Sequence, residues 1–480
     1  MPEMIEFSSS EVSLANSKIG PTNQYAFLVM LGYFRKHIRF PSKGETLPLY
    51  LKQSALNYLN ISHHQLFKFD WSARTAKRYR HEIRQLLGFS EPTNQDAMHY
   101  IEHLTTTVIP HSPSDESMYE QSKIYFKLHK LESFKPNQLL RYIATAKNQF
   151  EQQLFNKIYK SISIQDKALI QEILSTDKES ININTIRLAD LKQDIPGARL
   201  KNVKQGMLQL QSLGRFTWPT DIFNSIDRRT LLKYYDRIMA LSPSNIQESN
   251  KISLYALMSI FCYIRYQVIL DNLVDIFIKL VHRMHTKAEI FVDKNVLRDV
   301  KRVGGKFDIL ERLALATANN PKGVIEDTIY PDIPRDLLLE LINDLRQRGK
   351  WYQGQVKEKI RSNYVHGNRS ILLPLLGLFD LKKDHALYKP VIDAVMFINE
   401  NWNSTNREYY TKVPPLDGVI SKSWKSRVII DTNDDSKVNK YNYEIAVLEQ
   451  IKVLIGFKGI WINGSYRFRN PSDDIPKDFD

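Results

Sequence analysis

The chain has 480 residues, 42% apolar and 25% charged, with a formal net charge of +14. This is the composition of a soluble globular protein with length for roughly three ordinary domains, and no internal repeat of fixed period or low-complexity segment runs through it. The positive balance points to a polyanionic partner and says nothing of fold. Cys262 is the only cysteine. That excludes an intrachain disulfide and a cysteine-based zinc site, and leads to the expectation of a reducing, cytoplasmic setting. The opening residues Met1 to Phe7 contain no apolar signal core. The longest apolar run, Leu254 to Ile264, is interrupted by Arg265 and on its own is too short to span a bilayer.

Asn23 to His37 reads as a first helix that ends in the cluster Arg35-Lys36-His37-Ile38-Arg39. A second is expected from Pro48, placed in a first turn, to about Leu59. The loop Asn60–Phe69, which contains His63 and His64, leads to the most informative stretch, from Asp70 to Gly88. Ser72 is expected to cap a third helix and Gly88 to stop it. Ala76, Tyr79, Ile83, Leu86 and Leu87 recur at three- and four-residue spacing as one apolar stripe. Arg74, Lys77, Arg78, His81, Arg84 and Gln85 fall on the other side, with Arg80 nearby and Glu82 as the only acid close by. Residues 31–90 hold five Lys and six Arg against Glu45, Asp70 and Glu82, a net of +8 in one eighth of the chain. Most charge runs are solvated faces, but those mix signs and this one hardly does. Three short helices, the last one basic, outline a helix-turn-helix-like bundle that lays its cations on nucleic-acid phosphate.

Beyond the bundle, helices are expected over Glu91–Ile109, Ser117–Leu131, Pro136–Ile162 and Gln165–Leu174, then a polar loop at 175–184. Further helices follow near Ala198–Leu213 and Asp227–Leu241, and Ile252–Met284 is apolar enough to form the centre of a second helical body. Later helices lie near Arg335–Arg348, Gln355–Asn363, Ile371–Phe379, Ala386–Glu400 and Lys440–Ile455. Ile460-Trp461-Ile462 and Tyr466-Arg467-Phe468 flank Asn463-Gly464, a strong short signal for a β-hairpin. The fold class is therefore mainly α, with four segments expected: 1–90, a basic helix-turn-helix-like bundle; 91–165, a second helical domain; 166–330, a helical linker; and 331–480, a further helical region with a short C-terminal β-hairpin.

Catalytic signatures do not assemble. Gly304-Gly305-Lys306 lacks the earlier glycine and the following Ser or Thr of a phosphate loop. His282 and His285 have too few partners for a metal. Asp417, Asp431, Asp434, Asp435, Asp473 and Asp474 sit in loop or tail rather than on a strand frame. No cofactor and no metal are expected. A second basic surface is offered by Lys294, Arg298, Lys301 and Arg302 on one helical face, and by Lys357, Lys359, Arg361, His366 and Arg369 after Trp351-Tyr352. Each of these two groups is readable as DNA contact or as plain solvated surface.

The ordered set of motifs resembles one family. Leu31 to Pro41, with Trp71 to Arg78 and Glu82-Ile83-Arg84, is similar to the DNA-binding start of the Tn-three family of replicative transposases. Lys301 to Lys306 with Asn320-Pro321, Leu373 to Leu376, Lys389 to Ala394, Tyr443-Glu444, Gly459 to Pro471 and Pro476 to Phe479 continue the resemblance in order. It implies recognition of inverted-repeat transposon ends by the N-terminal helical domains; the candidate contacts, from the basic clusters themselves, are Arg35, Lys36, Arg39, Arg74, Lys77, Arg78, Arg80, His81 and Arg84, with Arg298, Lys301 and Arg302 as secondary candidates. It also implies that 91–165 is a second DNA-binding domain and that 331–480 is a dimerisation and pre-catalytic region, with self-association through the later helices. In that family an Asp-Asp-Glu triad lies on a ribonuclease-H-like domain further along. The chain stops where that domain is expected, so the expectation is a truncated, non-enzymatic half with no strand transfer of its own, its catalytic half on a separate chain if present at all. A stand-alone regulator of transposon ends and a helical protein–protein scaffold are the alternative readings.

Overall fold

The computed structural model describes residues 5–42, 45–62, 69–111, 114–175, 186–300, 305–403, 408–430 and 437–475, with backbone alone for 296–300, 305–307 and 344–350. The chain is mainly helical and divides into two compact units, one of residues 1–171 with 217–261 and one of 172–216 with 262–480. The four segments expected from sequence are finer than these two units. Helix Lys251–Val300 contributes residues to both.

The first unit opens with four helices where three were expected: α1 (Ser9–Asn16), α2 (Pro21–His37), α3 (Leu49–Leu59) and α4 (Arg74–Leu87). Eight residues are too few to show a helical period, so α1 was not legible; a reciprocal Ser8–Glu11 capping box starts it. Ala26 to Phe34 of α2 are all buried and form the axis of the bundle. Phe27, Leu31, Phe34, Leu51, Tyr79 and Ile83 share one core, with Phe27 and Tyr79 edge to face at 5.5 Å. Pro48 is the N-cap of α3 rather than a first-turn residue.

Two details of α4 differ from expectation. Its N-cap is Ala73, without a side-chain hydrogen bond, because the Ser72 hydroxyl and N–H both donate to the Asp70 carboxylate, at 2.6 and 2.9 Å. The short local turn competes successfully for the serine. Ala76, Tyr79 and Ile83 are buried as expected and Leu87 packs on the core, but Leu86 is exposed. Gly88 does end the helix, at a φ of 72°.

The unit continues with α5 (Asn94–His103), a π-turn over Leu104–Val108, α6 (Asp115–Leu128), α7 (Pro136–Ser161) and α8 (Ile164–Leu174). Buried Tyr100 packs on Phe126 and Phe134 and hydrogen-bonds Ser122. Ser90 bridges Leu131, and the Ser133 N–H donates to the Ile38 carbonyl at 2.6 Å, fastening this layer to the bundle. Helices Thr220–Asn224, Arg228–Ala240 and Pro243–Gln247 complete it.

In the second unit Arg265 does not end the apolar run. Its guanidinium is buried, 2.7 Å from the Asp194 carboxylate and 2.5 Å from the Gln193 carbonyl, so the helix passes through it. The part Lys251–Asn295 is long and apolar enough to cross a membrane by length and composition, and most of its apolar window is buried inside the protein. The two helices expected at 335–348 and 355–363 are one, Arg335–Asn363, followed by a π-turn at Tyr364–Asn368. The C-terminal hairpin does not form as a strand pair; its two arms share the bond from the Ile462 N–H to the Phe468 carbonyl, at 2.8 Å. β4 (Ile460–Ile462) pairs antiparallel with β1 (Leu381–Lys383), while β2 (Tyr409–Tyr410) pairs with β3 (Val438–Asn439). Asp271 is the reason: its carboxylate accepts from the Ser465 hydroxyl at 2.5 Å and the Tyr466 N–H at 3.2 Å, curling 465–467 into a turn. Gly464 is required before it, since its φ is 81° and a Cβ would lie 2.9 Å from the Tyr266 ring.

Candidate nucleic-acid interface

At about 100° per residue, Arg74, Lys77, Arg78 and His81 fall within roughly a 100° arc of α4, diametrically opposite the buried Ala76, Tyr79 and Ile83. All four are exposed, and none makes an ion pair among the described residues. Gln85, also exposed, lies on the same arc. The first-turn N–H groups, left without a side-chain cap at Ala73, lie at the Arg74 end. Where α4 is fixed, its charged face is fixed with it, because the Tyr79 and Ile83 side chains allow no rotation about the helix axis.

The other sequence-designated cations are used by the fold. Arg84 donates to Glu132 at 2.6 Å and Glu91 at 2.9 Å, its side chain only 11% exposed. Burial pushes the Glu132 carboxyl above its ordinary range, and the Arg84 guanidinium pulls it back down. Arg80 donates to the Trp71 carbonyl at 2.8 Å and lies over Phe40. Arg39 grips Glu45 with two nitrogens, at 2.6 and 2.8 Å. Arg35 is paired with Glu11, and exposed Lys36 sits over the Tyr50 ring. Glu82, the one acid near the basic face, is occupied by Lys18 at 2.5 Å. That pairing leaves Arg74, Lys77 and Arg78 without the counter-charge a solvated helix face normally carries.

Those ion pairs also tune the local carboxylates. The Arg39 guanidinium, with the Ser42 N–H and the Tyr33 hydroxyl, holds the Glu45 carboxyl down at about 2. Burial, then the Arg39 charge, keeps His37 below the ordinary histidine range.

Of the secondary contacts named from sequence, Lys301 and Arg302 lie outside the described residues and Arg298 is described by backbone alone; His63 and His64, and Asp431, Asp434 and Asp435, are also outside. Lys294 is exposed. His285 lies 2.8 Å from Glu449. Among the described residues no three His, Cys, Asp or Glu side chains come together as a metal set. Lys359 and His366, named from sequence in a second basic surface, line one wall of a basic groove in the second unit beside the π-turn at Tyr364–Asn368; the other wall, with Arg283 and Lys287, was not legible because it comes from a segment some 75 residues away.

Comparison with known proteins places this geometry in context. A family profile described as "Domain of unknown function (DUF4158)" matches residues 4–146. The transposase for transposon Tn2501 of Escherichia coli is 22% identical over 98% of the chain, and the transposase for transposon Tn21 of Escherichia coli 18% over 97%. The transposase for transposon Tn1546 of Enterococcus faecium is 18% identical, again over 97%. The chain spans about half the length of these curated relatives, 46% of each. The resemblance carried by the ordered motifs thus extends over nearly the whole chain.

Proposed function

From a chain that aligns end to end with about half of several Tn-three family transposases, we propose that it binds the inverted-repeat DNA at transposon ends, as the DNA-recognising part of replicative transposition. The observation that carries this reading is the exposed arc of Arg74, Lys77, Arg78 and His81, set opposite a buried stripe and unpaired among the described residues. The three permanent cations seat on phosphates, and the free first-turn amides add donors to one of them. Gln85 on the same arc offers the amide pair that reads adenine edges. Arg80 and Arg84 tie α4 to its surroundings, Arg35 and Arg39 are taken up by Glu11 and Glu45, and these four do not themselves meet DNA. Strand transfer is not the work of the residues described here, and self-association belongs to the later helices.

The test is binding of the full chain to a labelled inverted-repeat duplex and to a scrambled duplex of equal length, at physiological salt. A preference of about a thousandfold or more supports site recognition. A ratio near one supports the scaffold reading instead.

A further inference from the structure

The second unit carries a groove of about 480 Å³, lined on one side by Arg283 and Lys287 of helix Lys251–Val300 and on the other by Lys359, Asn363 and His366. This volume is that of a small-ligand pocket, but its polar walls are cationic and amide rather than mostly apolar. We propose that this groove binds backbone phosphates of duplex DNA, as a second contact independent of α4. The proposal rests on the reading of the chain as a DNA binder.

Four observations carry it. Arg283 and Lys287 stand one turn apart on the same helix face, an arrangement of like charges that destabilises a helix unless something anionic offsets it. Neither pairs with an acid among the described residues, and nearby Asp293 is occupied by the Tyr352 hydroxyl at 2.7 Å. Exposed Lys294 continues the same face, so the cations form a track about 16 Å long. At about 3.4 Å per nucleotide of one strand, that is the length of several successive phosphates, and it suits a polymer better than a single free phosphate. Lys359 is held at the wall by the Phe291 ring, 4.0 Å from its ammonium.

The opposite rim is rigidly placed. The π-turn bearing His366 is anchored on both flanks to one fully buried carboxylate, Glu444, by the Tyr364 hydroxyl at 2.8 Å and by Arg369 at 2.7 and 2.8 Å. π-turns of this kind concentrate at functional sites. Glu444 is thus a positioning residue for the groove, acting through the turn.

The experiment uses the full chain, a labelled scrambled duplex and the inverted-repeat duplex, over a salt series. The variant Arg283→Gln/Lys287→Gln/Lys359→Gln changes only side chains at the groove wall. It is expected to weaken both duplexes by the same factor and to lower the log–log salt slope by about two to three units, leaving the ratio between duplexes intact. An unchanged slope with native circular dichroism and Tm overturns the proposal. So does calorimetric binding of inorganic phosphate that the same variant abolishes while its duplex affinity stays native, which assigns the groove to a free anion. The companion variant Gln85→Ala, at the one side chain of the α4 arc assigned to a base edge, separates the two readings. It lowers the preference for the inverted repeat by about fivefold or more if α4 reads the end, whatever the groove does. A native ratio there, with a lowered slope in the groove variant, refutes the α4 reading and keeps the groove.

Discussion

Arg84 and its neighbours on α4 give opposite signatures, and that contrast decides which cations meet DNA. Arg74→Ala/Lys77→Ala/Arg78→Ala removes three exposed cations that touch no acid among the described residues. At about 0.9 per phosphate, the salt slope for duplex binding is expected to fall by about 2.7, with Tm unchanged. Arg84→Ala is expected to leave the slope alone and to destabilise the first unit. It strands Glu132, whose side chain is 17% exposed, and breaking such a pair costs about 3 kcal/mol when the remaining charge stays ionised. Glu132 already has its carboxyl raised by burial, and loss of the arginine raises it further. A carboxyl raised in the folded state takes up a proton as pH falls, which relieves the stranded charge. The loss is therefore larger near pH 7 than near pH 5. Fluorescence anisotropy over a salt series gives the slope, and urea unfolding at the two pH values gives the stability. If Arg84→Ala lowers the slope by about one unit while the unfolding midpoint stays put, Arg84 faces the phosphate and the ion-pair assignment is wrong.

The remaining expectations concern the frame around both surfaces. Glu45, held down at about 2, stabilises the bundle above the ordinary carboxylate range, and that stabilisation is lost as pH falls from about 4.5 towards 2; Glu45→Gln should flatten the acid limb of a Tm-against-pH curve in that window. Glu444→Gln leaves Arg369 without its carboxylate and should destabilise the second unit by about 3–5 kcal/mol, whereas Tyr364→Phe removes one hydrogen bond to a charged acceptor, about 1.5–3 kcal/mol, both read from denaturant midpoints. Ile83→Asp puts a charge into the fully buried stripe of α4, so lost helicity and lost DNA binding should appear together in circular dichroism and anisotropy. Asp271→Ala releases the 465–467 turn, and faster amide exchange should follow at Tyr466 and Arg467.

The sequence by itself determined the helical class, most helix positions to within a few residues, the end of α4 at Gly88 and the buried stripe through Tyr79 and Ile83. These are local properties: a period of 3.6 residues, a glycine at positive φ, and a block of like charge all lie within one stretch of chain. It also carried a resemblance to a transposase family, in keeping with relatives matched over 97–98% of the chain. What it could not determine was which cations are free. Arg84 meets Glu132 across 48 positions, Arg35 meets Glu11 across 24, and Lys18 meets Glu82 across 64, so each neutralisation exists only once the helices pack. The same holds for the missing hairpin. Asn463-Gly464 favours one locally, but Asp271, 194 residues from Ser465, captures the following amides in a turn, so the second arm meets β4 only through the Ile462 N–H to Phe468 carbonyl bond and β4 pairs with β1. A local preference of the turn is small beside a buried carboxylate that needs donors, and only tertiary packing brings that carboxylate to the turn.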